Sequence, residues 1–155
     1  MKIRVICCGN PFRGNDAAGL HVLALLEKHC PYLDAVDGGT GGLGLISLLE
    51  GYERVIIVDA TSGLGRMGDV QVFREGIPRW DAPGASFHDI GIAEAVEVGK
   101  AIGIAPRVAL VGIEGGAGMA ISETLDPAVA QAIPRACSAV VGILREWGLC
   151  KKSSD

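Results

Sequence analysis

The sequence predicts an α/β protein, a three-layer α/β/α domain around a mostly parallel sheet. Continuous apolar runs at residues 3–8, 54–58 and 107–113 look like strands covered on both faces, and helical periodicity fills the gaps between them. The 23 glycines and 5% aromatics suit tight strand–helix turns better than an all-β sandwich. At 155 residues the chain has the size of one domain. We read residues 1–150 as that domain and 151–155 as a frayed tail.

The first strand stops at Gly9-Asn10-Pro11-Phe12-Arg13-Gly14-Asn15-Asp16, and a first helix is expected from Asp16 to His29, ended by Pro31. A short strand over Tyr32–Val36 precedes the glycine-rich Asp37-Gly38-Gly39-Thr40-Gly41-Gly42-Leu43-Gly44, and a second helix follows to Leu49. The third strand, from Arg54, ends in Asp59. Residues 61–68 form a loop, and the alternation over Asp69–Arg74 suits an edge strand. A polar loop from Glu75 to Ser86 leads to His88. A third helix spans Asp89–Ile102, and an apolar strand spans Arg107–Ile113. After a loose loop, Asp126-Pro127 reads as a helix cap with Pro at the first helical position. The last helix runs to Trp147, bent near Pro134 and closed by Gly148.

The net charge of −4 with no basic tract argues against nucleic acid or an acidic membrane surface as partner. The charged start Met1-Lys2-Ile3-Arg4 and the lack of any long uninterrupted apolar stretch predict neither a signal peptide nor a membrane span. The 5 cysteines are odd in number and lack C-x-x-C spacing. They read as reduced thiols of a cytoplasmic protein, mostly core filling, with a reactive thiol at Cys7 or Cys8 as the lesser reading.

Gly9 and Gly14 have the spacing of a phosphate-binding loop, but Asn15 and Asp16 stand where Lys and Ser or Thr belong, so nucleoside triphosphate is discounted. Gly39-Thr40-Gly41-Gly42-Leu43-Gly44 matches the dinucleotide fingerprint letter for letter, but it follows a short strand interrupted by Asp34 rather than a long first strand. A dispersed set is more informative: Asp16 after strand one, Asp59 at the end of strand three, and His88 at the start of helix three. If strands one and three are parallel neighbours, both carboxylates emerge at one sheet edge. Two carboxylates and an imidazole suit a divalent cation and leave open positions for an activated water or a polarised carbonyl. The bland alternatives are an acid favouring a helix macrodipole, a turn cap and a surface histidine. No Ser-His-Asp elbow is legible.

These residues resemble the hydrogenase maturation endopeptidases. The likeness runs through Gly9-Asn10-Pro11, Arg13-Gly14-Asn15-Asp16 with Gly19, Asp37-Gly38-Gly39-Thr40 with Gly42, Val58-Asp59-Ala60, Ser86-Phe87-His88 with Gly91, Val111-Gly112-Ile113 and Leu125-Asp126-Pro127-Ala128-Val129. It implies a five-stranded, phosphorylase/hydrolase-like mixed sheet whose fourth strand is antiparallel. It also implies a protease that removes the carboxyl-terminal extension of a nickel-iron hydrogenase large subunit after nickel insertion.

The family's metal-contacting and catalytic positions fall on Asp16, Asp59 and His88. Its substrate-choice turn falls on Asp37, Gly38, Gly39, Thr40, Gly41 and Gly42. The nickel would arrive in the precursor, with no organic cofactor, and a chain of this size can work as a monomer. Two departures stand out: Asn15 replaces an acid, and Glu114-Gly115-Gly116 stands where a Pro is usual, which predicts a looser loop. The rival readings are a metal-checkpoint protein that binds the nickel-loaded precursor without cutting it, and a dinucleotide-binding protein.

Overall fold

The first apolar run forms strand β1 (Ile3–Cys7), with the edge strand β2 (Ala35–Asp37) on one side and β3 (Arg54–Ser62) on the other, both parallel to it. This computed structural model describes residues 1–77, 86–87, 91–116 and 121–149. His88, most of the loop expected before it, the expected helix start at Asp89, part of the loop after residue 114 and the expected frayed tail over 151–155 lie outside the described residues.

Strand β4 (Val70–Phe73) runs antiparallel along the outer side of the strand β6 (Arg107–Glu114), which pairs in parallel with β3. The main path of the sheet is β2-β1-β3-β6-β4, five strands of mixed direction in which β4 is the antiparallel member, at the edge. The alternation of Val70 and Val72 with Gln71 and Phe73 fits this edge position. A two-residue strand, β5 (Ser86–Phe87), also lies antiparallel against the end of β3.

Continuous apolar strands feed two cores because successive side chains point to opposite faces. Ile56, Val58 and Ala60 of β3 join Val5, Cys7 and Val111 under helices α1 (Ala18–His29) and α4 (Pro127–Glu146). Val55 and Ile57 join Ile6, Cys8 and Leu110 under α2 (Leu45–Leu49) and α3 (Gly91–Ala101). Helix α4 starts as its sequence dictates: the Asp126 carboxylate accepts from Ala128 N at 2.9 Å and Pro127 takes the first turn. The helix is continuous through Pro134. Among the described residues it is the one helix long and apolar enough to cross a membrane, but eight of its side chains, from Val129 to Leu144, are buried in the core.

Two boundaries differ from expectation in ways that matter. Strand β3 does not end at Asp59 but continues to Ser62, because β6 extends its ladder through Asp59↔Gly112 and Thr61↔Glu114 while β5 pairs on the other side. Helix α1 begins at Ala18, and Asp16 lies ahead of it in a 3-10 turn over Gly14–Ala17.

Candidate active site

The turn after β1 is shaped by glycines that no other residue could replace without displacement. A Cβ on Gly9 would lie 2.4 Å from the Asp16 carbonyl oxygen. One on Gly19 would lie 2.3 Å from the Cys8 carbonyl and 2.9 Å from that of Val58. The first turn of α1 is therefore pressed against the ends of β1 and β3, and the 3-10 turn packs on β3. The Asp16 amide donates to the Arg13 carbonyl at 3.1 Å, and the Asp16 side chain is driven inward until the residue is 2% exposed.

Asp59 is 0% exposed, and its Oδ1 accepts from the Ala60 amide at 2.9 Å. By strand alternation it shares a face with Val55 and Ile57, the face covered by α2 and α3. The fold thus brings Asp16 and Asp59 to one carboxyl-terminal edge, as their positions predicted. Burying a carboxylate is costly unless charge or donors meet it, so buried acids are paired or bind cations. Oxygen donors of this kind suit a divalent metal. Among the described residues no three His, Cys, Asp or Glu side chains gather into a metal cluster. His88 lies outside those residues; it follows Phe87 in sequence, whose backbone pairs with Thr61, two residues beyond Asp59.

The glycine-rich turn adjoins this edge. Gly9 N donates to Gly39 O at 2.8 Å and Gly38 N to Cys7 O at 2.8 Å, while the Asp37 carboxylate accepts from Gly39 N at 2.7 Å. Gly41 and Gly42 have φ of +88° and +75°, a region that favours glycine. Thr40 is exposed at the tip. On the far side, a Cβ on Gly91 would lie 2.7 Å from Gly42 Cα, so the turn is wedged between the Asp16 segment and the start of α3. The dinucleotide reading fails here. Its fingerprint needs a central strand and a long helix, whereas this turn joins a three-residue edge strand to a five-residue helix.

The reactive-thiol reading fails as well. Cys7 and Cys8 are both fully buried. Burial first, and then the charges of Asp37 and other neighbours including Asp59, push the Cys7 thiol far above its ordinary value, so it stays protonated.

Sequence reasoning missed Glu114. This residue is 1% exposed at the end of β6. Its carboxylate accepts from Leu64 N at 2.7 Å, Gly116 N at 2.9 Å and Gly63 N at 3.2 Å, with the Thr61 hydroxyl at 3.4 Å. Its backbone pairs with Gly68 and Asp69. The exit of β6, which was expected to be loose, is thereby tied as far as Gly116 to the loop after β3. The available signal was a lone acid closing an apolar strand.

A family model described as hydrogenase maturation protease matches residues 20–143 of this chain. The chain belongs to the hydrogenase maturation protease family. Among its relatives is the hydrogenase 2 maturation protease of Escherichia coli, 29% identical over 161 residues that span 96% of this chain and 94% of the relative. The hydrogenase expression/formation protein HupD of Rhodobacter capsulatus is 29% identical over 154 residues, spanning 96% and 73%. Among solved structures, the hydrogenase maturating endopeptidase HybD from E. coli superposes with a TM-score of 0.81 at 26% identity, covering 96% of this chain and 94% of that one. The maturation-protease fold thus takes in the sheet, both helical layers and the edge that carries Asp16 and Asp59.

Proposed function

We propose that this maturation protease removes a carboxyl-terminal extension from the large-subunit precursor of a nickel-iron hydrogenase once nickel is in place, and that Asp16, Asp59 and His88 meet that nickel as part of the substrate. The observation that carries the proposal is a pair of nearly inaccessible carboxylates on adjacent segments of one sheet edge, inside a protease fold.

Asp16 and Asp59 offer oxygen donors whose charge offsets a divalent ion, and His88 adds a neutral imidazole nitrogen. A divalent ion held there polarises a carbonyl or water beside it. The residues of the chain then orient the scissile peptide, and hydrolysis adds one water across the bond to leave a new carboxylate and a free amine. The turn of Asp37, Gly38, Gly39, Thr40, Gly41 and Gly42 borders the same edge, and its exposed tip suits substrate choice. Holding the peptide against a prearranged donor set is a proximity effect. We further propose that the protein acts in the cytoplasm as a monomer, with no organic cofactor.

The test is the intact mass of a nickel-loaded and a nickel-free precursor after incubation with the protein or with His88→Ala. Loss of a carboxyl-terminal peptide only with nickel and intact His88 supports the proposal. Nickel-dependent binding with unchanged mass would replace it with the checkpoint reading.

A further inference from the structure

The segment that carries Asp16 is held from the side by its neighbour. Asn15 Nδ2 donates to the Gly115 carbonyl at 3.0 Å, and Asn15 Oδ1 accepts from the Asp126 amide at 2.8 Å. One amide therefore spans three segments far apart in sequence: the 3-10 turn after β1, the exit of β6, and the cap of α4. Each tie lands on backbone that is itself held. Gly115 N donates to Thr61 O at 2.9 Å, next to the strap that Glu114 makes to Gly63 and Leu64. Asp126 caps Ala128 of α4. Gly14 N completes the frame by donating to Ser122 O at 2.8 Å.

We infer that Asn15 is a positioning residue, whose side-chain amide fixes the Asp16 turn against the β6 exit and the α4 cap and so sets where the Asp16 carboxylate stands relative to Asp59. The inference rests on the proposed role of those two acids. An amide is suited to the task because it donates on one side and accepts on the other. An ionised Asp can only accept, so it would keep the Asp126 bond and set a negative oxygen against the Gly115 carbonyl. An Ala would release both. At position 15 the β6 exit presents the Gly115 carbonyl, which an amide can meet with a donor and a carboxylate cannot.

The experiment compares wild type, Asn15→Ala and Asn15→Asp at a temperature where all three are folded. Two readouts are taken: amide hydrogen exchange by NMR, and single-turnover cleavage of the nickel-loaded precursor with KM measured separately. In Asn15→Ala, exchange at Asp126, Gly14 and Asp16 should rise at least tenfold while Ile57 and Val58 of β3 are unchanged. In Asn15→Asp the Asp126 amide should stay protected while Gly14 and Asp16 lose protection.

The cleavage rate should fall at least tenfold in Asn15→Ala and at least threefold in Asn15→Asp, with KM within twofold of wild type. Unchanged exchange at Gly14 and Asp16 in both variants overturns the inference, whether or not the precursor is cut. Increased exchange with an undiminished rate, or a rate loss expressed only in KM, overturns it too. A wild-type protein that leaves the precursor intact defeats the proposed function instead, and the exchange data still decide whether Asn15 holds the turn.

Discussion

Replacing Glu114 tests the loop anchor that lies two residues beyond the Asp59 ladder position. In Glu114→Gln one carboxylate oxygen becomes an NH2. If the remaining oxygen faces Leu64 N, the amides of Gly63 and Gly116 meet a donor; if it faces those two, Leu64 N does. Either orientation strands at least one buried or half-buried backbone donor, at about 1–3 kcal/mol each. Taking about 2 kcal/mol, and about 2–4 °C per kcal/mol for a domain of this size, the expected fall in Tm is about 4–8 °C.

Glu114→Ala releases all three backbone amides and leaves a cavity where a residue was 1% exposed, so its Tm should fall further, by about 10 °C or more. Thermal unfolding followed by circular dichroism at neutral pH measures both. A Glu114→Gln variant within 1 °C of wild type would refute the anchor. So would a Glu114→Ala variant no less stable than Glu114→Gln.

Three other perturbations probe the packing, the titration and the thiol burial of the fold. Gly19→Ala sets a methyl 2.3 Å from the Cys8 carbonyl, so α1 must back away from the sheet; overpacking of this kind costs about 1–3 kcal/mol, readable as a lowered urea midpoint with an unchanged slope. At the opposite end of the sheet, burial pushes the Asp34 carboxyl up, but hydrogen bonds from Tyr52 and Arg4 outweigh it and hold Asp34 below its ordinary value. A carboxyl depressed by folding adds stability that is present above its unfolded value and is lost as pH falls through the folded one. Tyr52→Phe should therefore raise the Asp34 titration seen by NMR and flatten the acid limb of the stability curve; an unmoved Asp34 would contradict this. Finally, iodoacetamide applied to the folded protein at pH 8 should leave Cys7 unmodified and label it only after denaturant, as peptide mass mapping would show.

Much of the fold was legible because strand burial and glycine turns leave strong local marks. The apolar runs at β1, β3 and β6, the alternation of β4, and the Asp126-Pro127 cap each matched the element that formed. That Asp16 and Asp59 reach one sheet edge was legible because Asp16 follows β1 and Asp59 lies towards the end of β3, its parallel neighbour. What remained hidden depended on partners distant in sequence. The extension of β3 past Asp59 to Ser62 needs the facing residues of β6 and β5, and no local pattern announces them. The 3-10 turn around Asp16 arises from the close approach of Gly9 and Gly19 to backbone. Glu114 and Asn15 act across 50 and 111 residues of chain, so a linear reading took one for a loop acid and the other for a lost charge.

The central claim is that the two buried carboxylates meet nickel carried by the precursor. The most direct measurement is the nickel K-edge absorption spectrum of the loaded precursor alone, mixed with wild-type protein and frozen before the first turnover, and mixed with Asp59→Asn. New oxygen ligands at the nickel are expected in the wild-type mixture, and they should be lost, together with cleavage, in Asp59→Asn. An unaltered nickel spectrum in a wild-type mixture that goes on to cut the precursor would contradict it.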